Sequence, residues 1–236
     1  MTRSEALLAL RQDLASVPEL DLLDDPGQLV RCSRDAYDYS PVLSPKLEGA
    51  RAQLVSRPTS VAAVEQLAAA CARHGVPLTV RGSGTGNYGQ CVPLDGGVVM
   101  LTTGLQRIRS LDPSTGVVTV EPGCLMSQLD QELRRYGRQL RLLPSTWRSA
   151  TVGGFVAGGS GGIGSIRWGF LRDPGHLLGL EVVPITTDAH CRQLDEIEAE
   201  ALNHSYGTNG IITALTLSTA PAVNWHQVCI DCRDWA

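Results

Sequence analysis

The pattern of apolar and polar positions predicts short strands and helices that alternate along the chain. Apolar residues recur every three to four positions from Val61 to Cys71, which predicts a helix that ends at Gly75. Short apolar runs at 52–55 and 78–80 flank this helix. A strand, a helix and a second strand in this order are typical of a unit with parallel strands. We therefore expect such a unit near the middle of the first half.

The residues before this unit show a weaker pattern. Ser4 is placed to cap a first helix, whose apolar face carries leucines between Leu7 and Leu14. The stretch from Pro18 to Pro45 is rich in Asp, Pro and Ser. It predicts an irregular lead-in with short helices.

The second half of the chain predicts mostly strands joined by turns. Asp112–Gly116 reads Asp-Pro-Ser-Thr-Gly, a turn signal between apolar runs at 109–111 and 117–120. A helix follows, with Leu125, Leu129, Leu133 and Tyr136 on one face and a stop at Gly137. The remaining runs predict strands at 97–101, 177–183, 210–217 and 225–230, an edge segment at 105–108 and an acidic helix at 195–203.

Composition and charge exclude several classes of protein. The net charge is -4, with 20 basic and 24 acidic residues interspersed. A nucleic-acid-binding protein usually carries a basic stripe, so we expect no nucleic-acid partner. The apolar runs are too short for an integral membrane segment, and the charged amino terminus does not resemble a signal peptide.

The seven cysteines favour reduced thiols and a cytoplasmic location, because their number is odd and they are scattered. Cys229 and Cys232 have the spacing of a redox or metal motif, but no second pair accompanies them. Tetrahedral zinc needs four ligands. We therefore predict no metal site.

A glycine-rich loop follows the apolar run at 76–80. Residues 84–89 read Gly-Thr-Gly-Asn-Tyr-Gly, which matches the G-x-G-x-x-G dinucleotide pattern by letter. That pattern requires a helix directly after the loop, whereas residues 90–97 contain Pro93, Gly96 and Gly97. A Walker loop is excluded because no Gly-Lys-Ser/Thr follows. Glycine amides converge well on phosphate oxygens, so the loop still predicts a phosphate cradle.

A second glycine-rich region spans residues 149–165 and contains seven glycines. Its interleaved Val152, Phe155, Val156 and Ile163 are unlike a flexible linker. Glycine also marks places where the backbone closely approaches another group. We therefore predict a tightly packed segment pressed against a ligand.

Four sequence blocks together carry a family resemblance. They are Arg81–Gly89 with Pro144-Ser-Thr, the run Ala150-Thr-Val-Gly-Gly-Phe-Val-Ala-Gly-Gly, Trp168-Gly-Phe-Leu-Arg-Asp and Gly207-Thr-Asn-Gly-Ile-Ile. This chain resembles the FAD-binding PCMH-type domain of the vanillyl-alcohol oxidase flavoprotein family, and its glycolate/D-lactate dehydrogenase-like branch in particular. The resemblance covers roughly residues 45–220. It implies an α+β fold of two α+β subdomains, with a small parallel sheet followed by a larger mixed or antiparallel sheet.

The resemblance also implies where FAD is held. Backbone amides of 81–86 are expected to cradle the pyrophosphate, and residues 87–88 to flank it. Thr146, Thr151 and Gly154 are expected to lie along the flavin ring and the ribityl portion, and residues 158–161 to pass close to the phosphates and the ribityl chain. Residues 210–212 are expected to contact the adenine or ribityl side through backbone groups. The implied cofactor-binding residues are Arg81, Gly82, Ser83, Gly84, Thr85, Gly86, Asn87, Tyr88, Thr146, Thr151, Gly154, Gly158, Gly159, Ser160, Gly161, Gly210, Ile211 and Ile212.

Departures from the family refine these expectations. Many members attach the flavin to a histidine at the position of Thr85, and others to a cysteine near the second glycine region. Since residues 144–165 contain no cysteine, we expect noncovalent FAD. None of the five histidines is placed like a catalytic base, so no catalytic residue is assigned.

The resemblance implies three regions and one activity. We expect a helical lead-in at 1–44, the FAD-binding domain at 45–220 with subdomains of about 45–110 and 111–220, and at 221–236 the start of a truncated substrate (cap) domain. The implied activity is hydride transfer from a small 2-hydroxy acid or alcohol to FAD, with an unidentified electron acceptor. The alternatives are a non-catalytic flavin-binding module or subunit, completed by a cap domain or partner subunit, and an apo interaction protein on the same scaffold.

Overall fold

The computed structural model describes residues 2–226 and 228–232. Its α-helices are α1 (Arg3–Leu14), α2 (Pro26–Cys32), α3 (Ser44–Leu47), α4 (Val61–His74), α5 (Met126–Arg135), α6 (Val152–Ala157), α7 (Ser165–Trp168) and α8 (Glu196–Ala199). Its strands are β1 (Leu20–Leu23), β2 (Leu54–Pro58), β3 (Leu78–Arg81), β4 (Val98–Leu101), β5 (Ile108–Asp112), β6 (Val117–Val120), β7 (Arg138–Gln139), β8 (Leu177–Val183), β9 (Arg192–Asp195), β10 (Ile211–Ser218) and β11 (Ala220–Pro221). Short 3₁₀ helices span Tyr37–Tyr39, Thr102–Gly104 and Glu200–Leu202.

The strands form two main sheets, and the chain has the α+β fold that was expected. The first sheet has the order β1-β2-β4-β3, in which β4 is parallel to both β2 and β3 while β1 is antiparallel to β2. The second sheet is antiparallel, with the order β5-β6-β10-β8-β9. A two-stranded pair, β7 and β11, lies beside it.

Each sheet buries its own apolar cluster against helices. Leu54, Val98 and Met100 of the first sheet pack with Leu67 of α4, and Leu10 of α1 joins the same cluster. The second cluster combines residues of β6, β8 and β10 with α5 and α6. Ile211 and Val183 belong to the first cluster although they lie on strands of the second sheet, so the two sheets share a core at that point.

The amino-terminal lead-in differs from its prediction in two ways. Thr2, not Ser4, caps α1: its hydroxyl accepts from the Glu5 backbone N–H, and the Glu5 carboxylate accepts from the Thr2 N–H at 2.7 Å. This reciprocal pair is a capping box. In addition, β1 lies inside the predicted irregular region and completes the first sheet.

One predicted unit is confirmed and one predicted strand is wrong. The strand-helix-strand unit has parallel strands as expected, and β4 lies between β2 and β3 in the sheet. The strand predicted at 225–230 is wrong for the described residues of that run, which are in neither helix nor strand, while Gln227 lies outside the described residues. Strand β9 had not been predicted. The predicted region boundaries at 44 and 220 stay predictions.

The turn between β5 and β6 gives a pH-dependent contribution to stability. The Asp112 carboxylate accepts from the hydroxyls of Ser114 at 2.6 Å and Thr115 at 2.8 Å. These hydrogen bonds lower the pKa of Asp112 from 3.8 to about 2. A depressed pKa means that the stabilisation is complete above the unfolded-state value and disappears as the pH falls through the folded-state value.

We therefore expect the Asp112→Asn variant to lose less stability than the unmodified protein between about pH 5 and about pH 2. Urea unfolding at a series of pH values measures this difference. Equal losses in the two proteins would contradict the assigned role of the carboxylate.

Candidate functional site

A cleft of about 290 Å³ opens where the two halves of the fold meet. The first glycine loop, after β3, forms one wall between Gly82 and Cys91. Residues between Thr146 and Ser160, including the start of α6, form the opposite wall. A third wall comes from residues 206–212, which lead into β10. The cleft therefore lies at the carboxyl end of β3, as the position of the glycine loop had indicated.

Gly82, Gly84 and Gly86 of the first loop line the cleft, and Gly84 cannot be replaced without strain. Gly84 has a φ of 72°, which residues with a side chain rarely adopt. A Cβ at this position would lie 1.9 Å from Nη2 of Arg81, whose guanidinium packs behind the loop. Nη1 of Arg81 donates to Sγ of Cys91 at 3.1 Å. Arg81 thus supports the loop from behind.

The far end of this loop is stabilised by Gln90. The Gln90 Oε1 atom accepts from the Tyr88 backbone N–H at 2.9 Å, which closes a tight local turn. The same oxygen would lie 2.7 Å from a Cβ at Gly86. The Tyr88 side chain is exposed at the edge of the cleft. The loop is therefore held in one shape by its own side chains.

The two glycine-rich regions meet at Gly82 and Thr151. Thr151 is buried and caps α6, with its Oγ1 accepting from the Gly154 N–H at 3.2 Å. A Cβ at Gly82 would lie 2.3 Å from this oxygen. Gly153 makes a similar close approach, since a Cβ there would lie 2.5 Å from Cβ of Pro122. The second region is tightly packed, as its interleaved apolar residues had indicated.

A strained pair, His204 and Tyr206, supports the third wall, and of the two only Tyr206 lines the cleft. Both have positive φ, 61° and 52°, which costs free energy in residues other than glycine. Their backbone N–H groups donate to the carbonyls of Val156 at 3.0 Å and Ala157 at 2.9 Å, at the end of α6. The His204 Nε2 and the Tyr206 hydroxyl are 2.9 Å apart. This pairing fixes the Tyr206 ring at the cleft.

Most of the residues expected from the resemblance lie on these walls. They are Gly82, Ser83, Gly84, Thr85, Gly86, Asn87, Tyr88, Thr146, Thr151, Gly154, Gly158, Ser160, Gly210 and Ile212. The others lie beside the cleft and do not line it, namely Arg81, Gly159, Gly161 and Ile211. Their individual contacts with a ligand stay predictions.

Several residues that line the cleft had not been predicted from the sequence. Gln90, Cys91 and Gly153 adjoin or belong to the glycine-rich segments, and this adjacency was a usable signal. Gly207 begins the recognised Gly-Thr-Asn-Gly-Ile-Ile run, and Tyr206 directly precedes it. Ala157 lies within the recognised run that begins at Ala150, and Val80 directly precedes the first loop. Only Thr102 and Pro122 among the described lining residues carry no such signal and reach the cleft through the fold.

The chemistry of the cleft suits an extended nucleotide. Among the described residues that line it, none carries a carboxylate, an imidazole, an ammonium or a guanidinium group. Backbone N–H groups, hydroxyls and amides alternate there with apolar carbons. A diphosphate is well bound by converging backbone N–H groups, and a flat ring by a slot with few polar groups. The close approaches at Gly82 and Gly84 therefore fit FAD.

Two negative findings concern the part of the chain that is described. No group of three or more His, Cys, Asp or Glu residues there is arranged to hold a metal ion. No helix in those residues combines the length and the apolar character that crossing a bilayer requires.

Comparison with known proteins gives a consistent result. The FAD binding domain family matches residues 52–188. The chain is 30% identical over 178 residues to D-lactate dehydrogenase of Anaerostipes hadrus, covering 73% of this chain and 37% of that protein. It is 28% identical over 175 residues to glycolate oxidase subunit GlcD of Bacillus subtilis (strain 168), covering 71% and 37%.

The fold comparison agrees. A solved structure of alkyldihydroxyacetonephosphate synthase superposes with a TM-score of 0.77 at 20% identity, covering 94% of this chain and 44% of that one. The chain thus spans less than half the length of these relatives. The expected FAD cofactor is confirmed at the level of the family. Because the family match includes both glycine-rich segments and more than half of the residues, this chain belongs to the FAD binding domain family, of the PCMH type.

Proposed function

We propose that this chain is the FAD-binding part of a flavin-dependent oxidoreductase that oxidises a small 2-hydroxy acid or alcohol. The observation that carries the proposal is the contact of Gly82 with Thr151, which brings two glycine-rich segments together around one uncharged cleft. The substrate class is supported by the relatives, which include D-lactate dehydrogenase, glycolate oxidase subunits and a probable D-2-hydroxyglutarate dehydrogenase of Oryza sativa.

The residues of the cleft have separate roles in this proposal. The N–H groups of 82–86 hold the pyrophosphate, while Thr146, Thr151 and Gly154 lie along the flavin ring and ribityl chain. Residues 210–212 hold the adenine or ribityl side through backbone groups. When bound, FAD supplies a two-electron acceptor for the hydride of the substrate. The protein supplies binding and orientation.

The flavin is expected to be noncovalent. Among the described residues lining the cleft there is no histidine, and Thr85 offers only a hydroxyl. The one cysteine there, Cys91, has its pKa raised by burial, so its thiol stays protonated at neutral pH. Acid precipitation of the purified protein should release the flavin into the supernatant. Yellow flavin left attached to the pellet would contradict this expectation.

Reduction of the bound flavin tests the activity. The FAD-loaded protein is mixed without oxygen with D-lactate, glycolate and D-2-hydroxyglutarate, and the loss of the visible flavin absorbance is followed. L-lactate serves as the stereochemical control. Bleaching by one of these acids supports the proposal. If no acid or alcohol in a broad panel bleaches the flavin, the chain alone is not an oxidoreductase.

A non-catalytic flavin-binding module is the second candidate, and one observation favours it. The described lining of the cleft offers no carboxylate or imidazole that could take a substrate proton. In that case the chain binds FAD, and a cap domain or partner subunit supplies the groups that contact the substrate and the electron acceptor. Flavin that binds normally, but is reduced only after such a polypeptide is added, identifies this candidate. Absence of flavin would favour an interaction protein.

We also propose a cytoplasmic location. All seven cysteines are free thiols, and burial raises the pKa of Cys71 to about 12 and that of Cys124 to about 11. Free thiols are typical of proteins in reducing compartments, and the raised pKa makes these two buried thiols unreactive. Cell fractionation, with detection of the chain in each fraction, tests this proposal.

A further inference from the structure

The first glycine loop rests on residues 32–37, a segment of the amino-terminal lead-in. The Ala36 N–H donates to the Gly86 carbonyl at 2.9 Å, and the Gly89 N–H donates to Oδ2 of Asp35 at 2.9 Å. Nη1 of Arg81 also donates to the Cys32 carbonyl, at 3.4 Å. The segment lies outside residues 52–188, which match the FAD binding domain family. A part of the chain without a recognised role therefore supports the loop.

Asp35 makes the most specific of these contacts. Its side chain is buried, and its two carboxylate oxygens accept from two different segments of the chain. Oδ1 accepts from the Tyr37 N–H at 3.0 Å, and Oδ2 accepts from the Gly89 N–H. A carboxylate has two acceptor oxygens, whereas an amide has one acceptor and one donor group. Only the carboxylate therefore satisfies both N–H groups at once.

The groups around Asp35 act on the pKa of its carboxyl in both directions. Burial raises the pKa of this carboxyl, while the N–H groups of Gly89 and Tyr37 and the nearby Arg81 guanidinium act in the opposite direction. Asp35 does not line the cleft. The positive charge of Arg81, behind the loop, partly offsets the negative charge of the carboxylate. Asp35 therefore shapes the loop without presenting its charge to a bound phosphate.

We propose that Asp35 is a positioning residue, which holds the first glycine loop in its binding shape before FAD arrives. This inference rests on the proposed function of the cleft. A loop that is already ordered loses less conformational entropy when it binds a ligand. The amide groups of 82–86 are then aligned in the free protein, and Asp35 contributes to affinity without contacting FAD.

The test compares Asp35→Asn with Asp38→Asn. Asp38 lies three residues away, its side chain is 63% exposed, and it pairs with Arg34 at 3.7 Å, so it is a matched control. Asp35→Asn leaves one of these two N–H groups without an acceptor, and we expect the Kd for FAD to rise about ten- to a hundredfold. Amide hydrogen exchange across 82–91 should also accelerate. Asp38→Asn should change neither quantity.

Two results would overturn the inference. One is an Asp35→Asn protein whose Kd for FAD stays within about twofold of the unmodified value. The other comes from hydrogen exchange in the unmodified, FAD-free protein, so it applies even if the Asp35→Asn variant does not fold. We expect the Gly89 amide to exchange as slowly as the amides of β3. Exchange at the rate of an unstructured peptide would exclude a preformed loop. If the unmodified chain binds no FAD, the proposed function fails, and the exchange comparison still decides the role of Asp35.

Discussion

A Gly84→Val variant is expected to lose bound FAD. Gly84 has a φ of 72°, and a β-branched residue is strained in that region. Its new Cβ would also displace the Arg81 guanidinium, which is tethered to Cys91 and Cys32 behind the loop. Because this Cβ points behind the loop, relief of the clash requires the loop backbone or the Arg81 side chain to move. We expect FAD affinity to fall about a hundredfold or more, since strain of this kind costs about 1–3 kcal/mol and a displaced loop no longer aligns its N–H groups on the pyrophosphate.

Gly75→Val is the matched control for this substitution. Gly75 ends α4 with a φ of 63°, and a Cβ there meets no atom within 4 Å. It carries similar backbone strain but does not line the cleft. Flavin content and the thermal midpoint are measured for both variants. Gly75→Val should keep its flavin at a reduced midpoint. A folded Gly84→Val protein with normal flavin content would contradict the assignment of the loop.

The second large effect is expected at the contact between the two glycine-rich regions. Gly82→Ala places a methyl group 2.3 Å from Oγ1 of Thr151, which is buried and cannot simply turn aside. The variant must either move the loop or break the cap of α6. Both changes separate the two walls of the cleft at the contact of Gly82 with Thr151. We expect a loss of FAD affinity of about tenfold or more.

A double-mutant cycle makes this prediction specific. Thr151→Ala alone removes the cap and is expected to cost about 1 kcal/mol of stability. It also removes the atom nearest to the new methyl group and leaves Cβ of Thr151 at 3.5 Å, an ordinary contact distance. The combined Gly82→Ala and Thr151→Ala protein should therefore bind FAD better than the two single losses predict together. Additive losses would show that the two positions do not touch.

Local patterns in the sequence predicted the elements whose cause is local. Gly75 ends α4 in the left-handed conformation, and β8 spans Leu177–Val183, as the apolar run predicted. Strand β1 was missed because Leu20–Leu23 is short and becomes a strand by pairing with β2. The insertion of β4 between β2 and β3 was missed for the same reason, since strand order is set by contacts across the sheet.

Some residues of the site were likewise predictable from local sequence, and others were not. The two glycine-rich segments were predictable because glycine itself marks close approach of the backbone. Asp35 and Tyr206 were not, because neither residue belongs to a recognised motif. The role of Asp35 depends on a hydrogen bond to Gly89, and that of Tyr206 on two strained backbone positions near the end of α6. Such roles follow from tertiary contacts alone.

The central claim is that this chain binds FAD in the cleft between its two glycine-rich segments. Calorimetric titration of the flavin-free protein with FAD tests it most directly, with Gly84→Val titrated in parallel. We expect saturable binding of one FAD per chain, and loss of that binding in a Gly84→Val protein that remains folded. If the folded, unmodified chain shows no saturable binding, the cleft is not an FAD site.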